Sequence, residues 1–138
     1  MKMKNPFTMK DPQITMAQKS IDEKHTYFGG NEGLLGKAVN DVCECKDRIG
    51  YFKTYERGRI YWTFATGALA VYGKILLQWG NLGYEQSQFG YPISDEKQTV
   101  SGDVRYYRFQ QGIIYNSPDF EFQAINVSIS RESLASCA

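Results

Sequence analysis

The sequence contains one histidine, His25, and has no long apolar run. Any Ser–His–Asp or Cys–His catalytic arrangement would therefore have to use His25. A glycine-rich motif of the kind that cradles phosphate is missing, and no segment approaches the roughly 20 apolar residues of a membrane span. The formal net charge of +1 is far from the basic excess of nucleic-acid-binding proteins. We therefore expect no enzyme, no nucleic-acid partner and no membrane span.

Cysteines are also scarce, and their spacing excludes two further classes of protein. Cys43, Cys45 and Cys137 are odd in number, unlike the framework of a disulfide-rich secreted domain. The Cys43-Glu44-Cys45 segment has no second pair at zinc spacing, so we predict neither a metal site nor a cofactor. The N-terminal residues lack the apolar core of a signal peptide. Localisation is left open between the cytoplasm and export with the signal removed.

Aromatic residues and glycine are abundant, and they recur at a fixed offset of 54 residues. Ten Tyr, eight Phe and two Trp make up 14% of the chain, beside 13 Gly, a composition typical of β-rich modules with many turns. The repeat preserves residue identity without a gap at several positions, among them Ile21/Ile75, Gly29/Gly83, Gly36/Gly90, Asp41/Asp95, Gly58/Gly112, Ile60/Ile114 and Tyr61/Tyr115. Such a period indicates one supersecondary unit used twice.

The repeat predicts an α+β fold in which each unit has a short helix, a loop, a β-hairpin and a third short strand. We expect a flexible arm over 1–18, units over 19–73 and 74–125, and a strand or tail over 126–138. Ile75, Trp79 and Leu82 share one helical face, which Gly83 terminates. His25 takes the place of Trp79 in the first unit, which favours a packing role for this histidine.

Four repeated glycines mark the turns of the predicted units. Gly36 and Gly90 lie in the loops, and Gly58 and Gly112 close the hairpin turns. We expect each of them to adopt a positive φ or to lie against neighbouring backbone.

Aromatic rings beside carboxylates and amides are the usual elements of a sugar-binding site, because the ring stacks on the sugar and the polar groups bond its hydroxyls. Such residues lie near the ends of the predicted hairpins and in the preceding loops. The candidate ligand-binding residues are Trp62, Tyr61, Asp41, Asn40, Tyr115, Asn116, Asp95 and Tyr91. A purely structural interpretation is equally open, with the rings in the core and the carboxylates capping turns.

Trp62 differs from the other candidates because its counterpart, Asn116, is not aromatic. If Tyr61 faces the core, strand alternation directs Trp62 outward, where it could serve as a stacking platform.

Several motifs resemble the LGFP repeat family in order and spacing. They include Leu35-Gly36, Phe89-Gly90-Tyr91-Pro92, the Gly58–Thr63 run and Val71-Tyr72-Gly73-Lys74-Ile75. The resemblance covers about residues 19–125. It implies a non-catalytic repeat of the kind found in actinobacterial cell-envelope proteins, which would anchor to the wall through its polysaccharide.

We therefore expect a carbohydrate-binding, lectin-like or wall-binding module. The alternative is a structural or protein-interaction module that self-assembles through its repeats. Two units are fewer than the three or more that usually bury a continuous repeat core, so the sequence also predicts a homo-oligomer.

Overall fold

The computed structural model describes residues 11–116 and 123–126, which form an α+β fold. Two α-helices and two short 3₁₀ helices alternate with eight strands. The helices are α1 (Asp11–Tyr27) and α2 (Gly73–Leu82), and the 3₁₀ turns are Gly30–Glu32 and Tyr84–Gln86. The strands are β1 (Cys43–Glu44), β2 (Tyr51–Tyr55), β3 (Gly58–Thr63), β4 (Gly67–Tyr72), β5 (Lys97–Gln98), β6 (Arg105–Phe109), β7 (Gly112–Asn116) and β8 (Gln123–Asn126).

The chain divides into two compact units between Leu69 and Ala70, a few residues before the boundary expected at 73/74. Strands β1 to β4 form one antiparallel sheet in sequence order, and β5 to β8 form the other. The hairpin registers match at the offset of 54: Tyr51 lies opposite Trp62 in the first, and Arg105 lies opposite Asn116 in the second. The tandem repeat is thus present in the fold.

Helix α1 begins at Asp11, inside the segment 1–18 that was expected to be a flexible arm. Pro12 does not interrupt it, because proline is well tolerated in the first helical turn, where its missing N–H would be unpaired anyway. Ala17 and Ile21, four residues apart, are both fully buried, and α1 contacts β2 and β3. The burial of Ala17 and Ile21 stabilises the N-terminal part of α1. Residues 1–10 and 127–138, which hold the rest of the predicted arm and nearly all of the predicted tail, lie outside the described part of the chain.

Helix α2 follows β4 directly and packs against β7. Ile75 and Trp79 are its buried residues, and the helix ends at Gly83 with φ 117°. The Trp79 ring lies 5.0 Å from the Phe109 ring, centroid to centroid. In the first unit the ring of His25 stacks on Tyr55 at 4.4 Å. The predicted packing role of His25 is therefore present in the geometry.

The two hairpins have two-residue turns, Glu56-Arg57 and Gln110-Gln111, closed by the pairs Tyr55–Gly58 and Phe109–Gly112. Gly58 and Gly112 are not among the residues with positive φ. Of the two alternatives expected for these glycines, the positive φ is therefore wrong, and the close backbone approach stays a prediction. They begin β3 and β7 as ordinary strand residues, and both are buried.

Gly36 and Gly90 do occupy left-handed backbone, with φ 78° and 75°. A Cβ on Gly36 would run into the side chain of Glu56, and one on Gly90 into the side chain of Gln110. Each of these side chains instead accepts a hydrogen bond from the backbone N–H after the glycine, at 3.0 Å from Lys37 and 3.2 Å from Tyr91. The turn of each hairpin thus lies against the loop that precedes it.

Several phenols of the two cores are shielded from water. Burial raises the pKa of Tyr107 above its usual value, with smaller contributions from Tyr72 and Glu96. Burial likewise raises the pKa of Tyr55. The folded protein therefore favours the neutral phenol at both positions.

Replacing Gly90 with Ala should lower the free energy of unfolding by about 1–3 kcal/mol, because the change combines left-handed strain with a clash against Gln110. The matched control is Gly73→Ala, since Gly73 has φ 74° but open space where its Cβ would lie. Urea denaturation of both variants separates the two contributions. Equal losses for the two variants would show that the clash is unimportant.

Candidate functional site

Strand β3 is buried on both faces, and this decides the position of two predicted site residues. Tyr61 is 1% exposed and Trp62 is 4% exposed. Trp62 shares the helix-facing side of the sheet with Ile60, and its ring lies 6.0 Å from that of Tyr51. The expectation that Trp62 faces solvent is wrong, because successive residues of β3 are buried on both faces of the sheet and alternation leads to water on neither.

The polar residues of the predicted loops bond mainly to backbone. Asn40 Oδ1 accepts a hydrogen bond from Thr54 N at 3.4 Å, and Asp41 Oδ1 accepts one from the adjacent Val42 N at 3.0 Å. In the second unit Asp95 Oδ1 accepts one from Ala70 N at 3.2 Å. These bonds match the structural interpretation of the loops, although Asn40 and Asp41 also remain exposed to solvent.

The other predicted residues of the second unit also separate. Tyr91 is 4% exposed, and its backbone pairs with Gln110. Tyr115 and Asn116 are both half-buried, but as neighbours on β7 they face opposite sides of the sheet. The structure therefore does not gather the predicted residues of either unit into one pocket.

A polar cluster that no sequence pattern indicated lies beside Asp95. The Tyr72 hydroxyl donates to Glu96 Oε1 at 3.3 Å, and Arg105 Nη1 lies 3.6 Å from the same oxygen. The pKa of Tyr72 is raised, first by burial and then by the negative charge of Glu96. This network ties the loop before β5 to the end of β4, which makes a structural role sufficient to explain it.

Tyr115 lies directly opposite Tyr106 on the face of the second sheet that points away from the buried side chains. Both rings are half-buried, whereas Tyr107 and Ile114 on the other face are fully buried. Neither Tyr106 nor Tyr115 contacts another ring or a cation within the described part of the chain. We call this surface, with Ile113 beside it, the Tyr106–Tyr115 face.

The equivalent face of the first unit is already filled by its own side chains. Phe52 and Tyr61 stack on each other with ring centroids 5.3 Å apart. The guanidinium of Arg59 lies 4.6 Å from the Phe52 centroid, and Arg59 Nη1 donates to the Tyr61 hydroxyl at 2.8 Å. Ile113 stands in the place of Arg59 in the second unit, so the Tyr106–Tyr115 face lacks this internal cover.

The opposition of Tyr106 to Tyr115 could have been found in the sequence. A two-residue turn at Gln110-Gln111 fixes the register of the hairpin, and that register places residue 106 opposite residue 115. Tyr106 also matches Phe52 at the repeat offset, so an aromatic residue is present at this position in both units.

The part of the chain that the structure describes contains neither a candidate metal-binding cluster nor a helix that could span a membrane. No group of three or more His, Cys, Asp or Glu residues there could hold a metal ion. Cys43 and Cys45 are free thiols, and Cys137 lies outside the described residues. Neither described helix is long and apolar enough to span a membrane.

Two sheets of matching register, each combined with a helix, define a tandem repeat module. The LGFP repeat model matches residues 35–87 and 89–132, and the chain belongs to the LGFP repeat family. Comparison with curated proteins finds none that matches the chain. The family matches begin at the Leu35-Gly36 and Phe89-Gly90 loops, so each matched segment starts after a helix.

Replacing Trp62 with Ala should destabilise the fold by about 3–5 kcal/mol, because the indole is buried against Tyr51 and its removal leaves a cavity. Leu77→Ala is the control, since Leu77 is 64% exposed and its truncation should change stability by less than about 0.5 kcal/mol. Thermal unfolding followed by circular dichroism measures both. A Trp62→Ala protein that melts like the parent would contradict the burial described here.

Proposed function

We propose that this protein is a non-catalytic carbohydrate-binding module and that its sugar stacks on the Tyr106–Tyr115 face. The observation that carries the proposal is the difference between the two units. The aromatic pair of the first unit is stacked and covered by Arg59. Among the described residues, no ring stacks on its counterpart in the second unit, Tyr106 and Tyr115, and no cation lies over either ring. Two adjacent phenol rings on a sheet surface offer flat apolar contact together with hydroxyl groups.

The second sheet holds Tyr106 and Tyr115 side by side above a buried layer of side chains. Tyr106 and Tyr115 are direct cross-strand neighbours, whose Cβ atoms lie about 4.5–5.5 Å apart in antiparallel pairs. Below them, Tyr107 and Ile114 are fully buried and anchor the two strands. A rigid support limits the entropy lost when a ligand binds. Among the residues predicted from sequence, Tyr115 is the one that lies on this face.

A non-catalytic role fits the use made of the nearby carboxylates. Asp95 bonds to the backbone of Ala70, and Glu96 is engaged by Tyr72 and Arg105. Both groups hold the loop in place, and neither forms the opposed pair that flanks a glycosidic bond in a hydrolase. Membership of a repeat module family agrees with binding rather than turnover.

The source of the sugar that we propose is a cell-wall polysaccharide. This part of the proposal comes from the setting that the family resemblance implies, an array on an actinobacterial envelope. A polysaccharide repeats its own units, so a weak site on each of several protein copies can give strong overall attachment.

A structural module that self-assembles is the second candidate. Val39 and Ile93 occupy equivalent loop positions in the two units and are 62% and 45% exposed. An aliphatic residue exposed twice at the same place in a repeat favours a contact between copies of the chain.

Replacing Tyr115 with Ala should weaken glycan binding about tenfold or more while leaving the fold intact. The loss of one stacking ring costs about 0.5–1.5 kcal/mol beyond its buried area, and about 1.4 kcal/mol corresponds to a factor of ten. A glycan array selects the ligand, and isothermal titration calorimetry with soluble wall polysaccharide measures the affinity.

Tyr27→Ala is the matched control for this change, because Tyr27 is a tyrosine on α1 that is 79% exposed. It should bind as the parent does. Unchanged affinity of a folded Tyr115→Ala protein would remove the Tyr106–Tyr115 face from the site.

Self-assembly is tested by the mass in solution. If the second candidate is correct, sedimentation equilibrium should show a mass that rises above 15.8 kDa with concentration. The double variant Val39→Ser with Ile93→Ser should then shift the equilibrium toward monomer. A monomer mass over a wide concentration range would exclude this candidate.

A further inference from the structure

Two exposed cations border the Tyr106–Tyr115 face. Lys97 on β5 lies opposite Tyr106 in the strand register, so its side chain emerges on the same face as the tyrosine. Arg108 follows Tyr106 by two residues on β6 and therefore shares that face as well. Lys97, Tyr106 and Tyr115 form one row across three strands, with Arg108 in the next row.

Neither cation has a carboxylate partner among the described residues. Within the described part of the chain, Lys97 and Arg108 form no ion pair with a carboxylate. The neighbouring Arg105 differs, because it points to the other face and pairs with Glu96. The residues of β5, β6 and β7 that share the Tyr106–Tyr115 face include no Asp or Glu.

The first unit does not reproduce this arrangement. The positions of Lys97 and Arg108 are held there by Cys43 and Thr54. Among the described strand residues of that face, Arg59 is the one cation, and it is engaged with Phe52 and Tyr61. Within the described residues, cations without a carboxylate partner therefore lie beside the aromatic pair in the second unit and not in the first.

We propose that the Tyr106–Tyr115 face selects an acidic polysaccharide, in which Lys97 and Arg108 bind the carboxylates of uronic acid residues while the rings stack on the sugars. The inference rests on the proposed function, since it specifies the ligand of the same face. Adjacent strands lie about 4.8 Å apart, so three strands span roughly 10 Å, enough for more than one sugar ring. Lysine supplies a mobile point charge, and arginine can hold a carboxylate through two parallel hydrogen bonds.

The sparse charge favours a polysaccharide over a single-stranded nucleic acid. Nucleic-acid grooves track the backbone with many cations, because every nucleotide carries a phosphate. The described strand residues of this face include two cations, and the whole chain has a formal net charge of +1. Carboxylates spaced along a sugar chain match such a surface better.

The test compares acidic oligosaccharides with their own carboxyl-reduced forms, so that shape and hydroxyl groups hardly change while the charge is removed. Oligogalacturonate, oligomannuronate and hyaluronan oligosaccharides serve as the panel, and calorimetry at low and moderate salt gives the affinities. We expect at least one acidic member to bind about tenfold more tightly than its reduced form, with the preference shrinking as salt rises.

The double variant Lys97→Gln with Arg108→Gln should lose that preference and bind the acidic and reduced forms alike. The matched control, Lys19→Gln with Arg48→Gln, removes two exposed cations elsewhere in the chain and should keep the preference. Unchanged thermal unfolding of both variants shows that the fold is intact.

Each other result overturns the inference in a distinct way. If every acidic member binds no better than its reduced form, or if the Lys97/Arg108 variant keeps the preference, acid selectivity at this face is wrong while sugar binding stands. If a single-stranded oligonucleotide binds and the same variant abolishes it, the ligand is nucleic acid instead. If no glycan on the array or in the panel binds the parent protein, the proposed function fails together with the inference.

Discussion

The turn of each hairpin occupies the space that a side chain would need on the glycine of the preceding loop. Glu56 lies against Gly36 and Gln110 lies against Gly90, and each side chain accepts a hydrogen bond from the next backbone N–H. The backbone of the turn bonds back in the same place, with Arg57 N donating to Leu35 O and Gln111 N to Phe89 O. Glycine is required because only a residue without Cβ permits this approach at positive φ without strain. The loop, the hairpin and the buried Leu35 or Phe89 are thereby fixed as one body.

The helix of each unit attaches to that body through an aromatic contact with the last residue before the turn. Trp79 packs on Phe109, and His25 stacks on Tyr55. Histidine can replace tryptophan because its Nε2 lies 2.7 Å from the carbonyl oxygen of Gly36 and donates a hydrogen bond there. The loop itself thus satisfies the imidazole N–H that His25 brings into the core. The two units therefore keep the same helix-to-hairpin contact with different residues.

Much of this fold could be predicted from the sequence, because the repeat places the same glycines and apolar residues at matching positions. The hairpins, helix α2 and the left-handed Gly36 and Gly90 all follow from local patterns. The start of α1 could not be predicted in this way, because Pro12 suggests an interruption of the helix until its place in the first turn is known. The prediction that Trp62 faces outward was wrong, because strand alternation shows which residues share a face but not whether that face meets solvent. The site was the least predictable part: most of its candidate polar groups bond to backbone, and those contacts depend on how distant segments meet.

The repeat that the family model matches in the sequence does not coincide with the unit whose elements pack together in the structure. A family segment such as 35–87 contains the loop, hairpin and strand of the first unit together with α2, yet α2 packs against β7 of the second unit. Because β4 ends at Tyr72 and α2 begins at Gly73, no linker separates one repeat from the next. A genetic duplication of such a segment would therefore always supply the helix for its successor. Arrays of these units can lengthen in register at any internal point, while the outermost hairpin and helix of any array depend on flanking sequence to complete them.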